Sequence, residues 1–506
     1  MTTKIRILST SDIHGIVFPY RYSDNEKAEE GFAKLKTLID SLRDDDTIII
    51  DNGDTIAGSA FTRYHFSTRQ DELCPISSVM KKIRYDYVVP GNHDFEYGEE
   101  TLLRHLNATG AICLCANFFY RGQLLGPEYV IKTIEGKKLA LFGLTSQCVS
   151  NQIAHDKLIH FSFTDAFETA QKLVQKLKEE IAADYVVCIY HGGFENDPET
   201  GEPLEGGVGE NEAYRMCRQI SGLSAIMTGH QHRTMCGKLD GVAYTMPAAN
   251  GSYLASIEID TQTGETTPSL IPADKDPDND VMNICKKEED EVRKWLDTPL
   301  GRTEHNLIIR DEYKAHLQKS QLVTLINKIL AEVSGADLAA TSLHEGVRGL
   351  DKQITLRSLM NTFFFADPLI VKKINGKILK EYLEKTAEFW MAKDGKIIIN
   401  PRFETPVRLY QNYDMVDGIE YTIKVSDPLG ERITELTRNG EPVNDEDEFT
   451  IAMSSFRANG NGGYDMFKDA ETVKEFDRSI PDIVMEYIKE KDFIDFEEKE
   501  NIKVVL

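Results

Sequence analysis

The sequence predicts an α/β protein of two domains, and three observations carry that expectation. Short β-branched apolar runs alternate with amphipathic stretches, nearly every such run in the first half ends in a polar loop, and the composition shifts near residues 268–280, where IPADKDPDND interrupts the pattern. At 506 residues the chain exceeds the usual span of one domain, and its 41% hydrophobic content is enough for sizeable cores.

Taken in order, residues 4–8 read as a strand that delivers Asp12 and His14 into the loop beyond it. Residues 31–42 have helical spacing, 47–50 form a β-branched run ending in DNGD, and 85–89 form a short strand ending in PGNHD. Residues 138–142 are a strand candidate, 163–181 an amphipathic helix, 183–190 a run into HGG, and 224–227 a run into TGHQH. Strands alternating with helices imply a layered domain with its reactive groups at strand ends. A charged helical stretch over 281–296 follows, then a helix over 320–333. Beyond them lies a second α/β region with a helix over 379–389 and strands over 421–425 and 449–453. The expected division is a first domain over 1–300, a linker region with a helix over 301–334, and a second domain over 335–506. The boundary can be drawn anywhere from about 300 to 335, and no internal repeat is found.

With 58 Lys and Arg against 83 Asp and Glu, the formal charge is -25, which disfavours a nucleic-acid partner. A small phosphorylated substrate is compatible with it, because bound metals reverse the local potential. Eight scattered cysteines do not make a disulfide framework, and Cys188 in an apolar run reads as a buried thiol. The start, MTTKIRILSTSDIHG, reaches a polar motif within about ten residues, and no segment reads as a membrane span. The expectation is a cytoplasmic protein as the sequence stands, secreted or surface-attached if an export signal has been removed. Oligomeric state is not readable.

Five short segments carry the chemistry: DIHG at 12–15, DNGD at 51–54, GNHDFE at 91–96, HGG at 191–193 and GHQH at 229–232. Each sets His, Asp or Asn beside a small residue just after an apolar run. Imidazole and carboxylate ligands suit first-row divalent ions such as zinc, manganese, iron or cobalt. Two such ions about 3.5–4 Å apart clamp both sides of a transferring phosphoryl group. Any one segment alone reads as a turn with a satisfied polar side chain, and Asp51 and Asp94 read as loop-ordering carboxylates. The same bland reading would have to hold at five places in one topological position.

These segments resemble the calcineurin-like metallophosphatases, and more narrowly the 5'-nucleotidase family. The resemblance implies a four-layer α/β/β/α metallophosphatase domain and a smaller α/β C-terminal domain, joined by a helix. It implies two divalent metal ions, zinc or manganese ahead of iron or cobalt. Asp12, His14 and His232 would hold one metal, Asn92, His191 and His230 the other, and Asp54 would bridge them. His93 would stabilise the transferring phosphoryl group. The typical 5'-nucleotidase motif reads GNHEFD and its last Asp assists the histidine, whereas this sequence reads GNHDFEYG and places Glu96 there, where cyclic-nucleotide relatives often have Asn.

In the second half, YDMVDGIEYTI, PLGERI and IAMSSFRANGNGGY are similar to the family's C-terminal domain, and most of all to its 2',3'-cyclic-nucleotide 2'-phosphodiesterase/3'-nucleotidase branch. That branch usually has Asn where Ser455 stands and Tyr where Phe456 stands. By this resemblance Tyr413 and Phe456 form a clamp for a nucleotide base, and stacking is worth roughly 1–3 kcal/mol per base. The Asp usual in the last glycine-rich loop of 5'-nucleotidases is missing, with Asn461 or Gly462 near its place. Arg348 in SLHEGVRGLDKQIT is a candidate phosphate contact, or else a surface ion pair. His344 and Asp367 (the latter closing FFFAD) stand where relatives commonly have Asn. The expected activity is 2',3'-cyclic-nucleotide 2'-phosphodiesterase with 3'-nucleotidase activity on small-molecule nucleotides. A 5'-nucleotidase or nucleotide-sugar hydrolase is the alternative, and an inactive nucleotide-binding module the remote one.

Overall fold

A computed structural model describes residues 4–149, 153, 155–204, 209–363, 367–404 and 408–506. The chain divides into two compact units, Met1–Arg293 and Lys294–Leu506.

In the first unit, Lys4–Thr10 pairs in parallel with Thr47–Asp51, which pairs in parallel with Tyr87–Val88, and that strand in turn with Ile112–Cys113. Tyr253–Asp260 and Thr266–Pro272 add antiparallel strands on the other side of Lys4–Thr10, completing a six-stranded sheet. A second six-stranded sheet centres on Lys137–Thr145, Tyr185–His191 and Ala225–Thr228, all parallel. Alternation decides how the sheets meet. Ile5, Ile7, Ile48 and Ile50 from the first share one buried core with Leu139, Leu141, Val187, Ile189 and Met227 from the second. The intervening residues Phe142, Leu144, Val186, Cys188 and Tyr190 face the other way, into a core with Leu173, Val174 and Leu177 of the helix Ala166–Glu179. Parallel strands buried on both faces explain why these runs read as almost continuously apolar. The helices Phe32–Leu42, Pro75–Ile83 and Glu99–Thr109 are the crossovers between the parallel strands of the first sheet. With its other face taken by the second sheet, they cover the outer one, giving the four-layer α/β/β/α order.

The second unit is built on a five-stranded sheet in the order Asp414–Asp417, Leu338–Ser342, Glu448–Ser454, Pro368–Asn375 and Thr472–Ser479. Residues 301–334, expected as a linker, are part of this unit's body. Pro299–Thr303 pairs with Gln353–Thr355 and with Phe493–Ile494. The helix Gln321–Ser334 buries Leu322, Val323, Leu325, Ile326, Ile329 and Leu330 in the main core. The physical reason is the width of that helix's apolar face, which a solvent-bridging helix would not carry. The change of unit falls instead within the helix Asn279–Leu296.

Phe364, Phe365 and Ala366 of the FFFAD segment lie outside the described residues. Among the described residues no helix is long and apolar enough to cross a membrane. Among the described residues no cysteine forms a disulfide, and Cys188 is fully buried.

Leu325→Ala is expected to destabilise the second unit by about 2–5 kcal/mol, as for other large-to-small core substitutions. Denaturant unfolding followed by a probe in that unit checks it, since a helix in a free linker would tolerate the change with almost no loss.

Candidate metal centre

Each expected ligand sits at or just past the C-terminal end of a parallel strand. Asp12 and His14 follow Lys4–Thr10, Asp54 follows Thr47–Asp51, Asn92 and His93 follow Tyr87–Val88, His191 ends its strand, and His230 and His232 follow Ala225–Thr228. The loops are stitched to one another: Asp12 N–H donates to Gly53 O at 2.9 Å and His14 N–H to Asp54 O at 2.8 Å. The His230 N–H donates to the Asp12 carboxylate at 3.0 Å. Five of these residues, Asp12, His14, Asp54, His230 and His232, have φ between 54° and 71°, the left-handed region that side chains seldom occupy. Such a concentration at one place marks a site whose geometry is over-determined by its surroundings.

Two groups of ligand atoms result. Asp12, His14 and His232 converge in one, and Asp54, His191 and His230 in the other, with the ligand atoms of each within 4.8 Å of one another. Asn92 joins the second, its Oδ1 lying 3.1 Å from His191 Nε2 and 2.8 Å from His230 Nδ1. Gly91 makes that approach possible: a Cβ there would stand 2.2 Å from Asp54 Oδ1 and 2.6 Å from the His191 ring.

The hydrogen bonds on the outer side of the rings test whether metals fit. His14 Nδ1 lies 2.8 Å from Ala57 O and His191 Nδ1 2.6 Å from Asn52 O. A carbonyl only accepts, so both rings carry the proton on Nδ1 and turn Nε2 inward. There His14 Nε2 meets His232 Nε2 at 3.0 Å, and His191 Nε2 meets Asp54 Oδ2 at 3.3 Å. Asp54 Oδ2 itself is buried without a hydrogen bond. Inward-facing nitrogen lone pairs and carboxylate oxygens at such spacing call for positive charge between them. Without it the protons respond: burial lowers the His191 pKa, but Asp54 and Asp12 outweigh this and push it up to about 10. Burial and the charge of His232 drive His14 down to about 4. Asp54 is held well below the usual carboxylate range although its burial opposes this, chiefly by His191 and His93. The donor set and its orientation fit two divalent cations.

His93 stands beside the first group, its ring centroid 5.7 Å from that of His14. Its backbone N–H donates to Asp54 Oδ1 at 2.8 Å, and its Nδ1 lies 2.5 Å from Glu96 Oε1. Burial disfavours its charge, yet Asp54 and Glu96 push the pKa up to about 9. Asp94 accepts from the backbone N–H groups of Asp54, Thr55, Ile56 and Gly91. Asp51 accepts from Thr10 and Thr55 hydroxyls at 2.7 Å each. Both therefore order loops.

In the second unit the two rings expected to clamp a base differ in exposure. Tyr413 is 0% exposed, stacked on Phe389 with centroids 4.8 Å apart and set edge-on to Trp390 at 5.4 Å. Phe456 is 41% exposed. The extended backbone sends Tyr413 and Asp414 to opposite sides, and Asp414 is committed to Arg457 and Tyr382, so the Tyr413 ring turns into the core. Asn461 is exposed, and its carbonyl accepts from Arg457 Nη1 at 2.7 Å. Arg348 is exposed in the segment before Gly349–Leu350, and its carbonyl accepts from Ile309 N–H. Burial, with the Arg457 charge, pushes His344 down to about 4, and burial raises the Asp367 carboxyl. Glu210, absent from the expected ligands, lies against His230 with Oε1 2.8 Å from Nε2. A lone glutamate in GVGENEA carries no ligand-like spacing that would have singled it out.

Fold and site together define a dinuclear-metal hydrolase of phosphoester and nucleotide substrates. The calcineurin-like phosphoesterase family matches residues 5–234, and the 5'-nucleotidase C-terminal domain matches residues 299–469. The chain belongs to the calcineurin-like metallophosphatase/5'-nucleotidase superfamily. It is 24% identical over 91% of its length to a Salmonella typhimurium 2',3'-cyclic-nucleotide 2'-phosphodiesterase/3'-nucleotidase, covering 82% of that protein. It is 23% identical over 96% of its length to the trifunctional nucleotide phosphoesterase YfkN of Bacillus subtilis, but spans only 38% of that longer chain. A crystal structure of a Staphylococcus aureus protein, described provisionally as a 5'-nucleotidase and bound to alpha-ketoglutarate, has a TM-score of 0.88 at 28% identity. That likeness covers 99% of this chain and 100% of the other.

Chelation is expected to remove both activity and stability. Metal at about 100 times its Kd adds about 2.7 kcal/mol, so a chelator should lower the melting temperature reversibly. Asp54→Asn should cost turnover more than the roughly 100-fold typical of an outer-shell partner, with metal content falling in elemental analysis.

Proposed function

We propose that this protein hydrolyses the 2'-ester of 2',3'-cyclic nucleotides and then the 3'-phosphomonoester of the product. The observation that carries the phosphoester chemistry is the pair of inward-facing ligand groups with the His93–Glu96 pair at their edge. Asp12, His14 and His232 would hold one ion and Asn92, His191 and His230 the other, with the Asp54 carboxylate available to both. When bound, the ions polarise the phosphoryl group and lower the pKa of water. Zinc or manganese suits the mixed imidazole, amide and carboxylate set.

Asp54 and Glu96 both favour the charged form of the His93 ring, against its burial. Glu96 occupies Nδ1, which leaves Nε2–H to donate to a phosphoryl oxygen or to the departing oxygen. Glu96 thereby replaces the shorter Asp of the 5'-nucleotidase motif. The likeness to 2',3'-cyclic-nucleotide 2'-phosphodiesterases/3'-nucleotidases over about nine-tenths of the chain supports the cyclic substrate. In the second unit, Phe456 and Asn461 are exposed for contact with the nucleoside, while Tyr413 is withdrawn. A 5'-nucleotidase reading is favoured by one observation, the TM-score of 0.88 to the Staphylococcus aureus structure.

A panel of 2',3'-cyclic nucleotides, 3'-nucleotides, 5'-nucleotides and nucleotide sugars with defined divalent metals decides between them. Cleavage of the cyclic and 3'-substrates is expected, and exclusive turnover of 5'-monophosphates would overturn the proposal. Glu96→Gln should lower kcat roughly 10- to 100-fold with metal content unchanged.

A further inference from the structure

The two ligand groups differ in charge. Asp12 gives the first a carboxylate of its own, whereas the second has Asn92, a neutral amide, in addition to Asp54. A carboxylate nevertheless reaches the second group from outside. Glu210 Oε1 lies 2.8 Å from His230 Nε2, on the ring edge away from Nδ1, and Nδ1 points to Asn92 Oδ1 at 2.8 Å. His14 and His191 rest their outward nitrogens on backbone carbonyls, so of these three rings His230 is the one backed by a full charge.

The placement of Glu210 is not that of a loose surface side chain. Its side chain is 19% exposed, and its carbonyl accepts from Tyr190 Oη at 3.0 Å and Ser146 Oγ at 3.1 Å. The neighbouring Asn211 accepts from Gly193 N–H at 2.7 Å, which ties the same segment to the loop after His191.

We propose that Glu210 is a positioning residue of the metal centre. It accepts the Nε2–H of His230, fixes the tautomer whose Nδ1 lone pair faces the second metal position, and supplies the charge that Asn92 lacks. A carboxylate on the far nitrogen of a ligating imidazole also raises its basicity. With Glu210 counted, each group has one carboxylate besides Asp54, although in the second it acts through an imidazole. The inference rests on His230 being a ligand of the second ion.

The test is equilibrium metal binding to the full chain, stripped with chelator and titrated with Zn2+ against a chromophoric competitor. The wild type is expected to take up two equivalents. In Glu210→Gln, which keeps the shape and an oxygen acceptor, one equivalent should weaken by roughly 10- to 100-fold while the other holds its affinity. Glu210→Ala, which loses the acceptor as well, should weaken the same equivalent further. Co2+ loading gives a second readout, with the visible absorption of one equivalent altered and that of the other unchanged. Unchanged binding in both variants, or equal weakening of both equivalents, overturns the role of Glu210 and leaves the two-metal reading standing. A wild type that binds fewer than two equivalents overturns both.

Discussion

Asp54 is the residue on which the first unit's chemistry depends, because its four polar groups are committed to three other loops. Its carbonyl receives His14 N–H, its own N–H is held by Asp94, its Oδ1 receives His93 N–H, and its Oδ2 faces His191. A buried carboxylate in that position carries a large desolvation penalty unless positive charge meets it. Four strand-end loops are arranged to bring that charge. The left-handed backbones at Asp12, His14, Asp54, His230 and His232 belong to the same constraint, since each loop must turn its polar side chain back across the strand ends. The parallel strands below give those loops a firm base, because they are buried on both faces.

The same constraint explains which parts of the site were legible in the sequence. A ligand loop has to follow a strand directly, and its ligand needs a small neighbour where backbones crowd. DIHG, GNHD and GHQH advertise both requirements at once. Asp94 and Asp51 were equally legible as loop-ordering groups, because carboxylates in tight turns find backbone N–H and hydroxyl donors nearby. Glu210 was not legible. Its partner is 20 positions away in sequence, and the contact exists only because the 209–212 segment folds back onto the loop after His191. The antiparallel strands Tyr253–Asp260 and Thr266–Pro272 carry a weaker signal, since polar residues such as Ser256, Glu258 and Ser269 interrupt their apolar pattern.

The place of residues 301–334 is hidden from the sequence for a different reason. Periodicity located the helix Gln321–Ser334 well, but periodicity says that a helix has an apolar face and not which core receives it. Only the strand partners settle that. Pro299–Thr303 is completed by Phe493–Ile494 from the far end of the chain, a pairing with no local signal.

The second unit shows how a buried charge pair can govern what a binding loop presents. Arg457 is 3% exposed and forked onto Asp414, with its remaining donors on the carbonyls of Asn461 and Gln411. Tyr464 lies over the same guanidinium at 3.7 Å. One side chain thus ties the glycine-rich loop to the segment before Tyr413 and fixes which residues on either side face out. Asp414 meets Arg457 while its neighbour Tyr413 faces Phe389 and Trp390, and on the short helix Ser455–Ala458 Arg457 is buried while Phe456 is exposed. Removing one member of such a pair strands the other in the core. The buried Tyr413 and the exposed Phe456 thus each adjoin one member of the same buried ion pair. Both members of that pair lie in the segments that carry the resemblance, Asp414 beside Tyr413 in YDMVDGIEYTI and Arg457 beside Phe456 in IAMSSFRANGNGGY.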